Sequence, residues 1–350
     1  MRPIGIAILG AAHTTHAWAY ARALSGLPDV RVTGVHDAVP AHAEWIRRDF
    51  GVPFVDDAEA LVAAPDVDAV IVCGATVDHR AHVELAAAHG RHVLCEKPLA
   101  TSVEDARAIV GGCDAAGVQL HVAFVSRFLP LVGRARAAVR SGRLGELIGL
   151  VGGNRGRPPL PPSYPPWITD PVAAGGGALI DHSVHVTDAM RHVSGLEVTE
   201  VSAEAGSLLW DLGVDDVAVL SLRFDNGAVG SVDPSWSVPE GNPWDYDFYL
   251  RLVGTDGSLD LTDAAEALRV VSVRDGAPRG LRLGSFAEDA DRAMLAAFAE
   301  SVRAGAVQDP CATGVDGLRA LEIALAGYRS AARHTPMIIN DPTTQRGVDH

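Results

Sequence analysis

Three short stretches of this 350-residue chain carry the side chains best suited to chemistry. The first surrounds Lys97, the single lysine among 29 lysines and arginines. A chain that otherwise uses arginine wherever a cation is wanted marks Lys97 as a place where a permanently charged guanidinium would not serve. An ammonium can give up its proton when buried or set beside another cation, and arginine cannot. In the second stretch Gly175-Gly176-Gly177 precedes Asp181, His185 and Asp188. On a helix these three polar residues share one face, and the glycines would let the helix N-terminus approach a ligand closely. An acid and a histidine so spaced can move a proton near neutral pH. The same spacing also suits a solvated polar face, a structural acid–histidine pair or a metal site.

The third stretch is Gly10-Ala11-Ala12-His13-Thr14-Thr15, which follows an apolar run and opens a helix. Backbone N–H groups and a helix N-terminus in that position receive a dinucleotide pyrophosphate. Against the pattern GxGxxG, Gly10 is kept, while Ala12 and Thr15 stand in the second and third places. Ala12 still leaves little bulk near the phosphates, and Thr14 or Thr15 offers a hydroxyl either to them or to the helix N-cap. Asp37 closes the next apolar run about 22 residues further on, where an acid binds the adenosine ribose hydroxyls. A carboxylate there repels a 2′-phosphate, and Ala38, Val39 and Pro40 supply no cation, so NAD is expected over NADP.

These residues need elements to hold them. Up to residue 122, apolar runs at 4–9, 30–35, 69–73, 92–95 and 119–122 alternate with amphipathic stretches at 17–24, 79–88 and 103–115 that stop near Gly26, Gly90 and Gly117. This is the rhythm of a parallel sheet, and it sets Lys97 at the carboxyl end of a strand, where open α/β sheets bind ligands. Beyond residue 122 one helix at 128–141 leads to strands at 198–205, 217–224, 228–233 and 248–253, with turn signals at Asp225-Asn226-Gly227 and Thr255-Asp256-Gly257. Helices at 291–304 and 314–332 then either cover a sheet edge or return to the first unit. The expected architecture is an α/β Rossmann dinucleotide-binding domain over 1–122, followed by an α+β domain over 123–340 with a large, mainly antiparallel, open-faced sheet. That second domain binds substrate and joins copies, and 341–350 form a C-terminal tail. Residues 157–167, rich in proline, exclude helix and central strand, and are either a stiff surface connection or a lid.

Glu96-Lys97-Pro98 resembles the EKP motif of the glucose-fructose oxidoreductase and inositol dehydrogenase (Gfo/Idh/MocA) family, and further matches follow in chain order. Ala75-Thr76-Val77-Asp78-His79 lies where the family has a PNxxH-like turn, with His79 kept. Arg127-Phe128 with Pro130 is similar to its RF segment, and Gly142-Arg143-Leu144-Gly145 to its SGxIG turn. The run from Gly175 to His185 is similar to GGGxLxDxGxH, with Ser183 in place of glycine. The resemblance implies metal-free oxidation of a secondary hydroxyl of a sugar, cyclitol or related polyol with NAD, and Lys97, Asp181 and His185 as the catalytic group. An alcohol oxygen must lose a proton as the hydride leaves its carbon. His185 would accept that proton, Asp181 would orient its ring, and Lys97 would steady the oxygen between cofactor and substrate. Expected cofactor contacts are Gly10, Ala12, His13, Thr14, Thr15, Asp37, Gly74, Ala75, His79, Glu96 and Lys97. Candidate substrate contacts besides Asp181 and His185 are Arg127, Arg155, Arg157, Tyr164, Trp167, Trp236, Trp244 and Tyr246, since aromatic faces stack on sugar C–H surfaces and arginines suit hydroxyls and carboxylates. Two other functions share such a cofactor unit: an NAD-dependent glycosidase acting by transient oxidation and elimination, and a non-catalytic NAD-binding sensor. Intact Lys97, Asp181 and His185 speak against the sensor.

Composition narrows the partners. A net charge of -15, from 44 acids against 29 bases, repels phosphate backbones and anionic lipid heads, which argues against nucleic acid and membrane. The start of the chain lacks signal-peptide features and no apolar stretch reaches membrane-spanning length, so a cytoplasmic enzyme is expected. Cys73, Cys95, Cys113 and Cys311 have neither paired nor zinc-ligand spacing and read as buried thiols. An uncovered sheet face in the second domain would pair copies into a homodimer or homotetramer.

Overall fold

A computed structural model describes residues 2–239, 241–242, 245–262, 267–271, 281–285 and 289–339, and the expected tail at 341–350 and Trp244 lie outside them. Strands β1 (Ile4–Leu9), β2 (Val30–His36), β3 (Ala69–Val72), β4 (His92–Cys95) and β5 (Leu120–Val122) form a parallel sheet in the order β5-β4-β3-β1-β2. Each of β3 and β5 is buried along its whole length, as expected for short apolar strands covered by helices on both faces. Helices α1 (Thr14–Ser25), α2 (Glu44–Phe50), α3 (Ala58–Ala63), α4 (His79–Ala88) and α5 (Val103–Ala116) make the crossovers. Of these, α2 and α3 span too few turns to show a helical period in the sequence. The winding direction reverses between β1 and β3, and such a switch point opens a crevice at the strand ends. There Gly10 (φ +78°) meets Gly74 so closely that a Cβ on Gly10 would lie 2.8 Å from the Gly74 backbone.

After α6 (Pro130–Arg140) come β6 (Leu147–Gly156), the short α7 (Pro171–Ala174) and α8 (Ala178–Ser194), then β7 (Val198–Gly206), β8 (Val217–Phe224), β9 (Val229–Asp233), β10 (Tyr246–Gly254) and β11 (Ser258–Thr262). A small hairpin, β12 (Ala267–Val271) with β13 (Leu281–Ser285), stands apart from the main sheets. The chain ends with α9 (Ala290–Ala304), β14 (Ala312–Thr313), α10 (Gly314–Arg333) and β15 (Met337–Ile338). The second sheet runs β11-β10-β6-β9-β8-β7-β15, antiparallel except where β6 lies parallel to β9. Along β8, Ala218, Leu220, Leu222 and Phe224 face the core while Val219, Ser221 and Arg223 are exposed, so one face of the sheet is open. Among the described residues no helix is long and apolar enough to cross a membrane.

Strand β6 carried no sequence signal because its glycines break the alternation. They are there to admit neighbours: a Cβ on Gly152 would come within 2.7 Å of Leu250, and one on Gly153 within 2.5 Å of the Tyr249 ring. The end of the chain returns to the first unit. There α9 packs on α1, and β14 adds to β5 as an antiparallel edge. One apolar cluster therefore runs through both units, joining Val93 and Leu99 to Leu150 and Leu220.

The glycines before α8 make room for protein groups. A Cβ on Gly177 would stand 2.0 Å from the Asp215 carbonyl oxygen, and one on Gly176 would stand 2.2 Å from the Tyr328 hydroxyl. Asp215 occupies the helix N-terminus. Its carboxylate accepts from Gly177 N–H (3.0 Å), Leu179 N–H (2.7 Å) and Tyr328 Oη (2.6 Å), and its carbonyl accepts from Ala178 N–H (2.8 Å). Asp215→Ala keeps the carbonyl but strands the three donors to the carboxylate, and is expected to lower unfolding stability by about 1–3 kcal/mol. Urea denaturation checks it, and an unchanged midpoint would rule out the cap.

Candidate active site

Lys97 leaves the carboxyl end of β4, where the following Lys97–Pro98 peptide is cis. Its ammonium Nζ donates to Asp181 Oδ1 at 2.5 Å and to the Asp181 carbonyl at 3.3 Å, joining the first sheet to α8. Burial alone would push the Asp181 carboxyl up. Lys97, with His182 and His185 nearby, overrides this and holds it well below the usual carboxylate range. The second carboxylate oxygen lies 3.3 Å from His182 Nε2. Thus Asp181 pairs with Lys97 and His182, and not with His185 as the helical spacing suggested. His185, one turn on, lines the same cavity and leans on the edge of Phe124. Burial, reinforced by Lys97 and His182, keeps its imidazole well below the ordinary 6.5 and therefore neutral near pH 7.

That cavity has a volume of about 360 Å³ and is bounded by both units. Lys97, Asp181, His182 and His185 form one wall, Asn154 and Phe248 project from the paired strands β6 and β10, and Asp289 and Asp291 come from the start of α9. Trp236, wholly buried, presents an indole Nε1 without a partner, and Ser126 Oγ is likewise unpartnered. The proline-rich segment roofs the cavity with Pro159 and Tyr164. It is hydrogen-bonded to the cofactor loop: Trp167 Nε1 donates to the Ala12 carbonyl (2.9 Å) and Thr15 Oγ1 to the Ser163 carbonyl (3.0 Å).

The loop after β1 fits a dinucleotide. Gly10 and Gly74 leave no Cβ at the switch point, Ala12 adds little bulk, and no side chain caps the N-terminus of α1. His13 is buried, its Nδ1 has no partner, and it stacks on His16 with ring centroids 3.7 Å apart. Asp37 Oδ2 accepts from Ala11 N–H (2.6 Å), while Oδ1 accepts from Val39 N–H (2.8 Å) and lies 2.9 Å from His42 Nδ1. The acid thus fixes the loop at the end of β2. Beneath it Glu96 is buried, bonded to His16 (2.9 Å), to the Tyr20 hydroxyl and to the Lys97 N–H (3.0 Å). Burial would raise Glu96, but His16, His13 and Lys97 hold it far below the usual range.

Other residues singled out from the sequence stand elsewhere. Arg127 is buried and donates to both oxygens of Asp188 (2.7 and 2.6 Å), with Asp316 at 3.2 Å. It therefore braces α8 away from the cavity, and Asp188 points into that pair instead of completing a metal triad with Asp181 and His185. Arg155 is bonded to Asp247 across β6 and β10. Its neighbour Arg157 does line the cavity, anchored to Asp245 (2.9 Å) and to the Asn242 carbonyl (2.6 Å). His79 holds the turn behind Lys97: Nδ1 donates to the carbonyls of Pro98 (3.0 Å) and Leu99 (3.3 Å), and burial lowers the imidazole to about 4. Thr15 spends its hydroxyl on Ser163, Thr14 begins α1, and Ala75 is buried behind Gly74. All four cysteines are buried and free. His16, Asn154, Asp289 and Asp291 went unnoticed in the sequence because each reaches the cavity through tertiary contact and none belongs to a spaced motif, and His182 because it fills an unspecified position of the run from Gly175 to His185.

The chain is similar to known proteins along nearly its whole length. A family model described as an oxidoreductase family with NAD-binding Rossmann fold matches residues 4–124, and one described as the GFO/IDH/MocA C-terminal domain matches 132–260. Inositol 2-dehydrogenase of Rhizobium meliloti (strain 1021) is 32% identical, with 89% of this chain and 93% of that protein covered. The scyllo-inositol 2-dehydrogenase (NAD(+)) of Bacillus subtilis (strain 168) is 27% identical, with 93% of each covered. The crystal structure of aldose-aldose oxidoreductase from Caulobacter crescentus, complexed with glycerol, superposes with a TM-score of 0.79 at 26% identity, covering 97% of this chain and all of that one.

Proposed function

Because the chain belongs to the GFO/IDH/MocA oxidoreductase family, we propose that it oxidises a secondary hydroxyl of a sugar, cyclitol or related polyol, with NAD as the hydride acceptor. The observation that carries this reading is the convergence of Lys97, Asp181 and His185 on one cavity beside the glycine loop. In this reading the Lys97 ammonium holds the substrate oxygen and offsets its growing negative charge. His185, kept neutral by burial, accepts the hydroxyl proton at an imidazole nitrogen. Asp181 aims Lys97 through the 2.5 Å bond. Tyr164 and Tyr246, hydrogen-bonded to each other at 2.6 Å, border the cavity on its solvent side.

NADH formation at 340 nm over a panel of sugars, cyclitols and sugar acids tests the reading. Lys97→Ala and His185→Ala are each expected to lower kcat at least about a hundredfold. A variant that keeps most activity removes its residue from the mechanism. Since the imidazole of His185 is held below its ordinary value, the acceptor stays unprotonated on acidification, so the acid limb of kcat/KM falls below pH 6.5. A limb above 6.5 would contradict the assignment.

Asp37 at the end of β2 supports preference for NAD over NADP through repulsion of a 2′-phosphate. NAD is expected to give the higher kcat/KM, with Asp37→Ala narrowing the ratio. Equal values for the wild type would reject the preference. The open sheet face exposes Val151, Val219, Val229 and Val253, which supports pairing of copies into a dimer or tetramer. Light scattering at micromolar concentration checks this, and a monomeric mass would reject it.

A further inference from the structure

Two histidines of α8 border the cavity, and the one that meets Asp181 is the unexpected one. His182 Nε2 lies 3.3 Å from Asp181 Oδ2, while Asp181 Oδ1 takes the Lys97 ammonium at 2.5 Å. The place of His182 is built into the fold. Its ring fits where Gly156, at the end of β6, lacks a side chain: a Cβ there would stand 2.6 Å from His182 Cε1. Trp236 presents a perpendicular ring at 6.4 Å and Tyr246 a tilted one at 5.9 Å. The charged and titratable groups facing His182 are Lys97 from the turn after β4, Asp181 and His185 from its own helix, and the Tyr246 phenol from β10. Burial outweighs the pull of Asp181 and leaves the imidazole below its ordinary value. A neutral ring has one N–H; the backbone of Asn154 and Pro234 also acts on this ring, but its Nδ1 is buried without a hydrogen-bond partner, which leaves Nε2, 3.3 Å from the carboxylate, as the nitrogen to carry the proton.

We propose that His182 is a positioning residue for the oxidation proposed above, and the inference rests on that reading: its Nε2–H holds one oxygen of Asp181 so that the other stays on the Lys97 ammonium. Orientation of the acid then falls to His182 and proton acceptance to His185, two tasks divided between two rings of one helix.

The test compares His182→Leu, which keeps bulk without a donor, with His182→Gln, whose amide nitrogen reaches the Nε2 position. Lys97 is the single lysine, so ¹³Cε-lysine labelling gives one side-chain resonance that needs no turnover to read. In His182→Leu that resonance is expected to shift, and kcat to fall about ten- to a hundredfold with NAD affinity by calorimetry unchanged. His182→Gln is expected to restore both the resonance and kcat. A Lys97 resonance identical in wild type and His182→Leu would overturn the proposal. So would equal losses in both variants, which would make the ring's packing the determinant. Silence of the wild type across the substrate panel would overturn the reading of the reaction instead, and the lysine resonance would still decide the role of His182.

Discussion

The contact on which the site depends is the ion pair between Lys97 and Asp181. One partner hangs from the carboxyl end of a parallel strand and the other from a helix of the second unit. Lys97 is buried and Asp181 partly so, and a pair largely withdrawn from water depends on both backbones holding its partners in place. Much of the molecule meets that demand. His79 and the cis peptide fix the turn carrying Lys97. Asp215 fixes the start of α8, and Arg127 with Asp188 fixes its far face. The glycines at 156 and 177 are spaces left for His182 and Asp215.

Charge is arranged as tightly as shape. Glu96 and Asp181 are kept ionised by the cations and imidazoles around them, whereas His13 and His185 are kept neutral by burial. The cavity wall thus carries the Lys97 cation and the Asp181 anion together with the neutral rings of His13 and His185, with Asp289 and Asp291 at another side and Glu96 bonded to His16 behind the lining. This polarity is set before any ligand arrives, and preorganised charge in a dry site acts far more strongly than the same groups in water.

Much of the fold could be read from the sequence because parallel strands and amphipathic helices announce themselves by period. Strands β1, β4 and β8 and helix α4 fall where apolar spacing places them. Strand β6 could not be read, since its glycines serve neighbours and carry no pattern of their own. The same split runs through the site. Lys97 stood out by residue type, and Asp181 and His185 by spacing and family likeness. The partner of Asp181 did not, because helical periodicity marks shared faces and says nothing about how far a short carboxylate reaches sideways to the next residue. Arg127 drew notice for its charge, yet its role is set by Asp188 and Asp316, brought together only by packing. Asp289 and Asp291 join a wall formed mainly by residues before 250, a separation that no local signal spans.

The return of the chain to its starting sheet bears on how the molecule can be divided. Residues 4–124 look like a module in sequence, but their outermost strand β5 is sealed by β14, and the apolar flank of α1 is covered by α9. Cutting after residue 124 would leave an open strand edge beside a bared hydrophobic surface, the combination that templates aggregation. The dinucleotide unit of this protein is therefore continuous in space and discontinuous in sequence. Any transplant of it into another scaffold has to carry residues 289–313 along with the first 124.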